Sequence, residues 1–221
     1  MWGRRLLLAG VILVIIAVIH TVWLQLSGGS DRFTIEQTRR LASSVDGMEY
    51  RVHEGHTSPQ KAADTLANLN AQVIGIMRSL RARYIRGPLG NQYPERRAAV
   101  QQLLARYNPD NLAENSPHDP SGDTAYTLDK GALVAICLRA ESGEKIHDND
   151  TLMFVTIHEM AHIAIKDIDH PKRFWSAFRF LLEEAEIAGI HTDMDYARFP
   201  RKYCGVRVDS NPRHDPNVVS L

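Results

Sequence analysis

Cysteine is scarce in this chain: 221 residues hold only Cys137 and Cys204, which permit one disulfide and do not require it. Net charge is absent, formally +0 at pH 7. Outside residues 1–26 the balance is 24 Lys plus Arg against 26 Asp plus Glu, or −2. A domain that tracks DNA is normally basic, so nucleic acid is not an expected partner. Internal repeats and low-complexity tracts are missing too. The composition, 44% hydrophobic and 24% charged, fits one globular domain with a short appendage.

Residues 6–26 are the appendage. They lack any charge and any polar face, and Leu, Ile and Val dominate them, with Trp23 near one end. Twenty-one such residues are long enough to span a bilayer as a helix. The expectation is a signal anchor over residues 1–26 that puts the chain in a membrane through residues 6–26. Ser27-Gly28-Gly29 leaves cleavage as the alternative. Arg4 and Arg5 precede the run, and Asp31, Arg32, Glu36, Arg39 and Arg40 follow it. Positive-inside counting then leans the N-terminus to the cytosol and the domain to the other side. Residues 27–57 read as linker and start of the domain, and 58–221 as the domain itself.

The densest chemistry lies in His158-Glu159-Met160-Ala161-His162. Histidines four apart on a helix point the same way, so their imidazoles can take two corners of a tetrahedral zinc site. Glu159 follows the first ligand and falls beside the open position of the metal. There it can take a proton from a zinc-bound water and pass it to a leaving amine. This is the H-E-x-x-H signature of zinc metallopeptidases. Asp148-Asn149-Asp150-Thr151 supplies caps, and no Gly or Pro interrupts residues 151–166. Such a helix, apolar nearly all round, is expected to be buried. Asn149-Asp150-Thr151 is a glycosylation sequon on paper and more simply part of that cap.

The other segments follow from punctuation and period. Residues 34–44 read as a first helix and 48–53 as a short strand. Ser58 and Pro59 open a long helix with Ala62, Leu66, Leu69, Val73, Met77, Leu80 and Tyr84 at helical spacing, stopped by Gly87-Pro88. Its basic end, Arg78, Arg81, Arg83 and Arg86, reads as solvated charge favourable at a helix C-terminus. A phosphate- or lipid-facing patch is the other reading. Pro94 opens another helix. Residues 108–123 read as a loop in which His118 is solvated. Residues 126–128 and 132–138 read as a hairpin whose second strand packs on the H-E-x-x-H helix and offers a free edge to an extended substrate. A helix is expected from about Lys172 to Ala188, with irregular structure over 193–221.

A catalytic zinc site takes three protein ligands and a water. No Gly follows His162 in the metzincin manner. His170, eight residues beyond His162 where the chain turns at Pro171, is the leading third ligand. A carboxylate from Glu183, Glu184 or Glu186 is the thermolysin-like alternative, and His191 and Asp193 complete the set. Tyr126, His147, His191, Tyr196, Tyr203 and Arg207 are each eligible to stabilise an oxyanion.

His158-Glu159-Met160-Ala161-His162 followed by His170-Pro171-Lys172-Arg173-Phe174-Trp175 resembles the WLM and SprT-like group of zinc metallopeptidases. There the motif is followed by a third His and an aromatic four residues later. The resemblance is closer still to metallopeptidase-like proteins of large DNA viruses of algae and amoebae, through residues 174–185 and Tyr203-Cys204-Gly205. It covers roughly residues 124–212. The gap from His162 to His170 is two residues longer than the usual WLM spacing. What it implies is a zinc peptidase with His158, His162 and His170 as ligands and Glu159 as base. The WLM and SprT-like groups act on proteins crosslinked to DNA, a role to which the charge balance gives little support.

The expectation is therefore an α+β, zincin-like metallopeptidase domain behind a transmembrane helix. Helices pack on a small sheet around a central H-E-x-x-H helix, Zn2+ is the cofactor, and a protein or peptide is the substrate. The competing expectation is a non-catalytic membrane or virion protein whose zinc site is structural, with Cys204 as a possible fourth ligand closing it.

Overall fold

The structure, a computed structural model, describes residues 37–119, 122–142 and 144–221. The apolar run at 6–26 and the first residues of the helix expected at 34–44 lie outside them. Among the described residues no helix is long and apolar enough to cross a membrane.

The first half runs β1 (Thr38–Ala42), β2 (Glu49–His53), α1 (Pro59–Leu80), a π-helical turn (Arg81–Arg86), α2 (Leu89–Gln92) and α3 (Pro94–Arg106). After a 3-10 turn (Pro109–Asn111) come β3 (Leu112–Asn115), β4 (Ala125–Leu128), β5 (Leu133–Cys137), α4 (Asn149–Ala164), α5 (Lys172–Ile187), β6 (Arg201–Tyr203) and β7 (Val206–Val208). Five strands form one sheet in the order β1-β2-β3-β5-β4. Its middle, β2-β3-β5, is parallel, while β1 and β4 pair antiparallel at the two edges. The chain is thus mixed α and β. The helices pack against the sheet and one another around a core that takes Leu66, Leu69 and Val73 from α1, Val134 and Ile136 from β5, and Phe178 and Leu181 from α5.

Several sequence expectations need correction. The stretch 193–221, expected to be irregular, contains the antiparallel pair β6–β7, and the long helix expected through Tyr84 turns π-helical at Arg81. Thr38–Ala42 is a strand and not part of a helix. Its five residues pair register by register with β2, and that ladder outweighs a helix preference too short to sustain itself. The expected loop at 108–123 contains β3, which runs between β2 and β5. Leu112-Ala113-Glu114-Asn115 carries no strand pattern because all four residues are buried. Glu114 is tolerated there because the equally buried Arg139 donates to it at 2.6 Å. Finally, β5 has no free edge, since β3 and β4 flank it. The open edge belongs to β4.

At the other end of the chain, the Arg179 guanidinium of α5 donates to the carbonyls of Pro212, Asp215 and Val218 at 3.2, 3.1 and 2.6 Å. That fixes the C-terminal segment over α5. Cys137 of β5 and Cys204, in the turn between β6 and β7, form a disulfide across 67 residues. A crosslink closing a loop of that length removes enough denatured-state entropy to add about 4 kcal/mol of stability. Replacing both cysteines by alanine is expected to lower the Tm by on the order of 10 °C. Reductant should bring the wild-type chain down to the same midpoint. A wild-type Tm that does not move in reductant would show that the crosslink adds no stability.

Candidate metal centre

Helix α4 starts because the Asp148 carboxylate accepts from the Thr151 backbone amide and hydroxyl, both at 2.9 Å. It then runs between β4 and β5 on one side and α3 and α5 on the other, so twelve of its sixteen residues are buried. His158 and His162 project from its one open face. The chain next turns through Asp169, whose φ of 59° is left-handed and suits the short polar side chain better than most. That turn brings His170 back over the helix. Lys130 donates to the Asp167 carbonyl and so ties the returning loop to the β4–β5 turn.

The Nε2 atom of His170 lies 3.1 Å from that of His158 and 3.2 Å from that of His162. Nitrogens at two corners of a tetrahedron around zinc, about 2.0–2.1 Å from the ion, stand about 3.3 Å apart. The three imidazoles therefore fit three corners of one tetrahedral site, and they are the one such group of His, Cys, Asp or Glu among the described residues. Burial, reinforced by the neighbouring imidazoles, pushes His158 down to about 3 and His162 to about 4, and burial also lowers His170. All three are neutral near pH 7, the form that ligates a metal. Phe174, buried in the first turn of α5, holds the rings from beneath, its centroid 4.8, 4.3 and 4.5 Å from those of His158, His162 and His170.

Glu159 is 2% exposed and points to β4, where the Thr127 hydroxyl donates to its Oε2 at 2.8 Å. Burial pushes its carboxyl up to about 8, opposed by the Thr127 hydroxyl and aided by Asp123. A cleft of about 560 Å³ opens over these groups. Tyr126, Thr127 and Lys130 wall it on the β4 side, and Lys166, Ile168 and Asp169 on the other.

The remaining sequence candidates fall elsewhere. Glu184 is buried against Arg83 and the Tyr84 hydroxyl, each at 2.8 Å. Glu183 meets Arg179, Arg213 and Ser220, and Glu186 meets Arg213. Asp193 pairs with His214 at 2.9 Å, and His191 is buried near Phe154. Among the oxyanion candidates, Tyr126 lines the cleft. Tyr203 lies fully buried, its phenol held protonated first by burial and then by the Glu159 charge. His147 accepts from the Cys204 amide, Tyr196 packs on Phe154, and Arg207 is exposed beside Asp209. Thr127, Asp123 and Lys130 were missed, because no motif marks them and only the strand pairing carries them to the helix.

The site is thus a three-histidine centre with a buried carboxylate, set on a mixed α and β domain. The chain belongs to the family of uncharacterized protein R325 of Acanthamoeba polyphaga mimivirus, with 33% identity over 178 residues, 80% of this chain and 86% of R325. Shorter matches join it to uncharacterized protein 042R of Invertebrate iridescent virus 3, 33% identical over 37% of this chain and 50% of that protein. Uncharacterized protein 136R of Invertebrate iridescent virus 6 is 29% identical over 38% of this chain and 46% of its own length. No protein-family profile matches the chain. Among solved structures, Wss1 from Saccharomyces cerevisiae is similar at a TM-score of 0.44 and 16% identity over 62% of this chain and 87% of Wss1. That likeness is too distant to transfer a fold or an activity.

If the three imidazoles hold the metal, His170→Ala should weaken zinc binding by more than the roughly 10–100-fold that changes behind the ligands cost. Glu184→Ala should leave affinity unchanged, though it should destabilise the fold by stranding Arg83. Zinc titration against a chelating dye reads both. Affinity that follows Glu184 and ignores His170 would refute the assignment.

Proposed function

We propose that the chain is a zinc metallopeptidase that hydrolyses peptide bonds, with His158, His162 and His170 as metal ligands and Glu159 as general base. The observation that carries this reading is the convergence of three Nε2 atoms beside the Glu159 carboxylate, in a cleft open to a sheet edge. A bound zinc ion would polarise the scissile carbonyl and make a water acidic enough to attack near pH 7.

The protein's own groups supply the rest. The Cys137 amide donates to the Thr124 carbonyl at 3.0 Å, so Thr124 and Tyr126 bond to β5. Alternation along an antiparallel strand then turns the amide and carbonyl of Ala125 and Thr127 to the open edge of β4. An extended peptide added there would lie along the cleft. The ionised Glu159, a form that a zinc ion held beside it would favour against the effect of burial, takes a proton from the attacking water as the oxygen bonds to the carbonyl carbon. It returns that proton to the amine as the C–N bond breaks. The Thr127 hydroxyl aims the carboxylate meanwhile. Tyr126, which lines the cleft, is the candidate donor to the developing oxyanion.

The alternative of a purely structural zinc site needs a fourth protein ligand. Cys204, its one named candidate, is bonded to Cys137 instead. That disulfide also supports an oxidising compartment for the domain. It agrees with residues 6–26 as a membrane anchor and a catalytic domain on the non-cytosolic side.

Glu159→Gln should keep fold and zinc while losing about 10²-fold or more of the hydrolysis rate on casein or a peptide library. A variant that turns over like wild type would sink the peptidase reading. Thr127→Val removes the hydroxyl at constant shape. It should lower kcat by roughly 10-fold with little change in KM, the size expected when one hydrogen bond to a charged group is lost, and Thr127→Ser should restore it. Equal kcat in wild type and Thr127→Val would show that the hydroxyl does not aim the base.

A further inference from the structure

Helix α1 ends in the π-helical turn Arg81–Arg86, and Gly90 lies so close beneath it that an added Cβ would sit 1.9 Å from the Tyr84 carbonyl oxygen. A turn bonded i→i+5 holds roughly 4.4 residues, so residues five apart stand roughly 50° apart around the axis, against roughly 140° in an α-helix. The π turn therefore swings Arg86 round beside Arg81, and Arg78 lies one α-turn before them. All three arginines line one groove between the end of α1 and α3. Its volume is about 420 Å³, and it runs into a second lobe of about 430 Å³ that shares Arg81, Arg86 and Leu104.

Two properties of this groove suit it to a ligand. The three guanidinium groups are exposed and, among the described residues, make no hydrogen bond or ion pair. Every other arginine close by has a partner: Arg83 has Glu184, Arg97 has Asn91, and Arg106 has the Asp129 carbonyl. No acidic side chain lines either lobe, and the floor is aliphatic, formed by Ile74, Met77, Ile85 and Leu104, with Ile74 38% exposed. Unpaired guanidinium forks over an aliphatic floor match carboxylates set along an apolar strip. Nucleic acid fits poorly, because no aromatic ring is there for a base to stack on. A bilayer fits poorly as well, because the surface is concave.

The groove is also joined to the cleft. On the adjoining flank of α3, Gln102 donates to the Ile163 carbonyl at 3.0 Å and Arg106 to the Asp129 carbonyl, and Asp129 lines the cleft. Helix α3 lies between the groove and the β4–β5 turn at the rim of the cleft, and a helix with its side chains is about 10–12 Å across. About four residues of extended chain cover that distance.

We propose that this groove docks an acidic, amphipathic segment of a polypeptide. Resting on the peptidase reading above, it is an exosite that selects substrates carrying such a segment a few residues from the scissile bond.

The test uses full-length protein in neutral detergent, with Arg78→Gln, Arg81→Gln and Arg86→Gln combined in one variant. These side chains hold nothing else together, so the fold should stand. Fluorescence anisotropy on zinc-loaded Glu159→Gln protein follows a labelled peptide of Glu and Leu at helical spacing and its Gln-for-Glu counterpart. The acidic peptide is expected to bind at least 10-fold more tightly than its neutral counterpart, and the triple substitution should abolish the difference. With Glu159 intact, the triple variant should raise KM about 10-fold for a substrate bearing the acidic segment six residues from the cleaved bond. It should leave kcat/KM for a short neutral peptide unchanged. Equal binding of the two peptides overturns the proposal. So does arginine-dependent binding to phosphatidylserine vesicles or single-stranded DNA with none to the acidic peptide. Arginine-dependent peptide binding without cleavage of any substrate supports the docking site and refutes the peptidase reading instead.

Discussion

The ring of Phe174 touches all three imidazoles, and the geometry of the centre depends on that contact. His158 and His162 are aligned by helix period alone, but His170 arrives on a loop, which has no period to place it. Phe174 follows His170 by one helical turn, so the loop ends and the packing surface begins almost at once. Helix α5 buries Phe174 by setting it against the histidine face of α4. Burying this aromatic ring and bringing the three nitrogens together thus favour one another.

The same economy governs Glu159. A carboxylate at 2% exposure needs a donor, and within the domain it finds one on the edge strand of the sheet. Strand β4 thereby joins the Glu159 carboxylate to the open edge of the sheet. The disulfide acts at a distance, tying the β6–β7 turn, next to the buried Tyr203, to β5.

Much of the helical framework was legible in the residues. Pro59, Pro94 and Asp148 each mark a helix start, and the apolar stripe runs through α1 to Leu80, after which a π turn carries the chain to Gly87. Strands were harder. Glu114 reads as a loop residue until Arg139, two residues beyond β5, is known to lie 2.6 Å away. β1 reads as helix until β2 is there to pair with it. Both misreadings have one cause: a short strand is stabilised by partners distant in the chain, so no local pattern records it.

What the sequence determined by itself is whatever a single helix can specify. The i, i+4 pair His158 and His162, the neighbouring Glu159, the caps that hold their helix and its burial all follow from 3.6 residues per turn and the lack of a polar face. Tertiary structure alone decided which distant groups meet them. It set His170 beside His158 and His162 while giving Glu184 to Arg83 and Tyr84, and it brought Thr127 to Glu159 across a sheet edge. It also joined Cys137 to Cys204 and turned Arg81 and Arg86 into one groove. Helix period acts between neighbours in the chain. Loops, strand pairing and helix packing act between residues the chain keeps far apart, and only folding settles which of them come together.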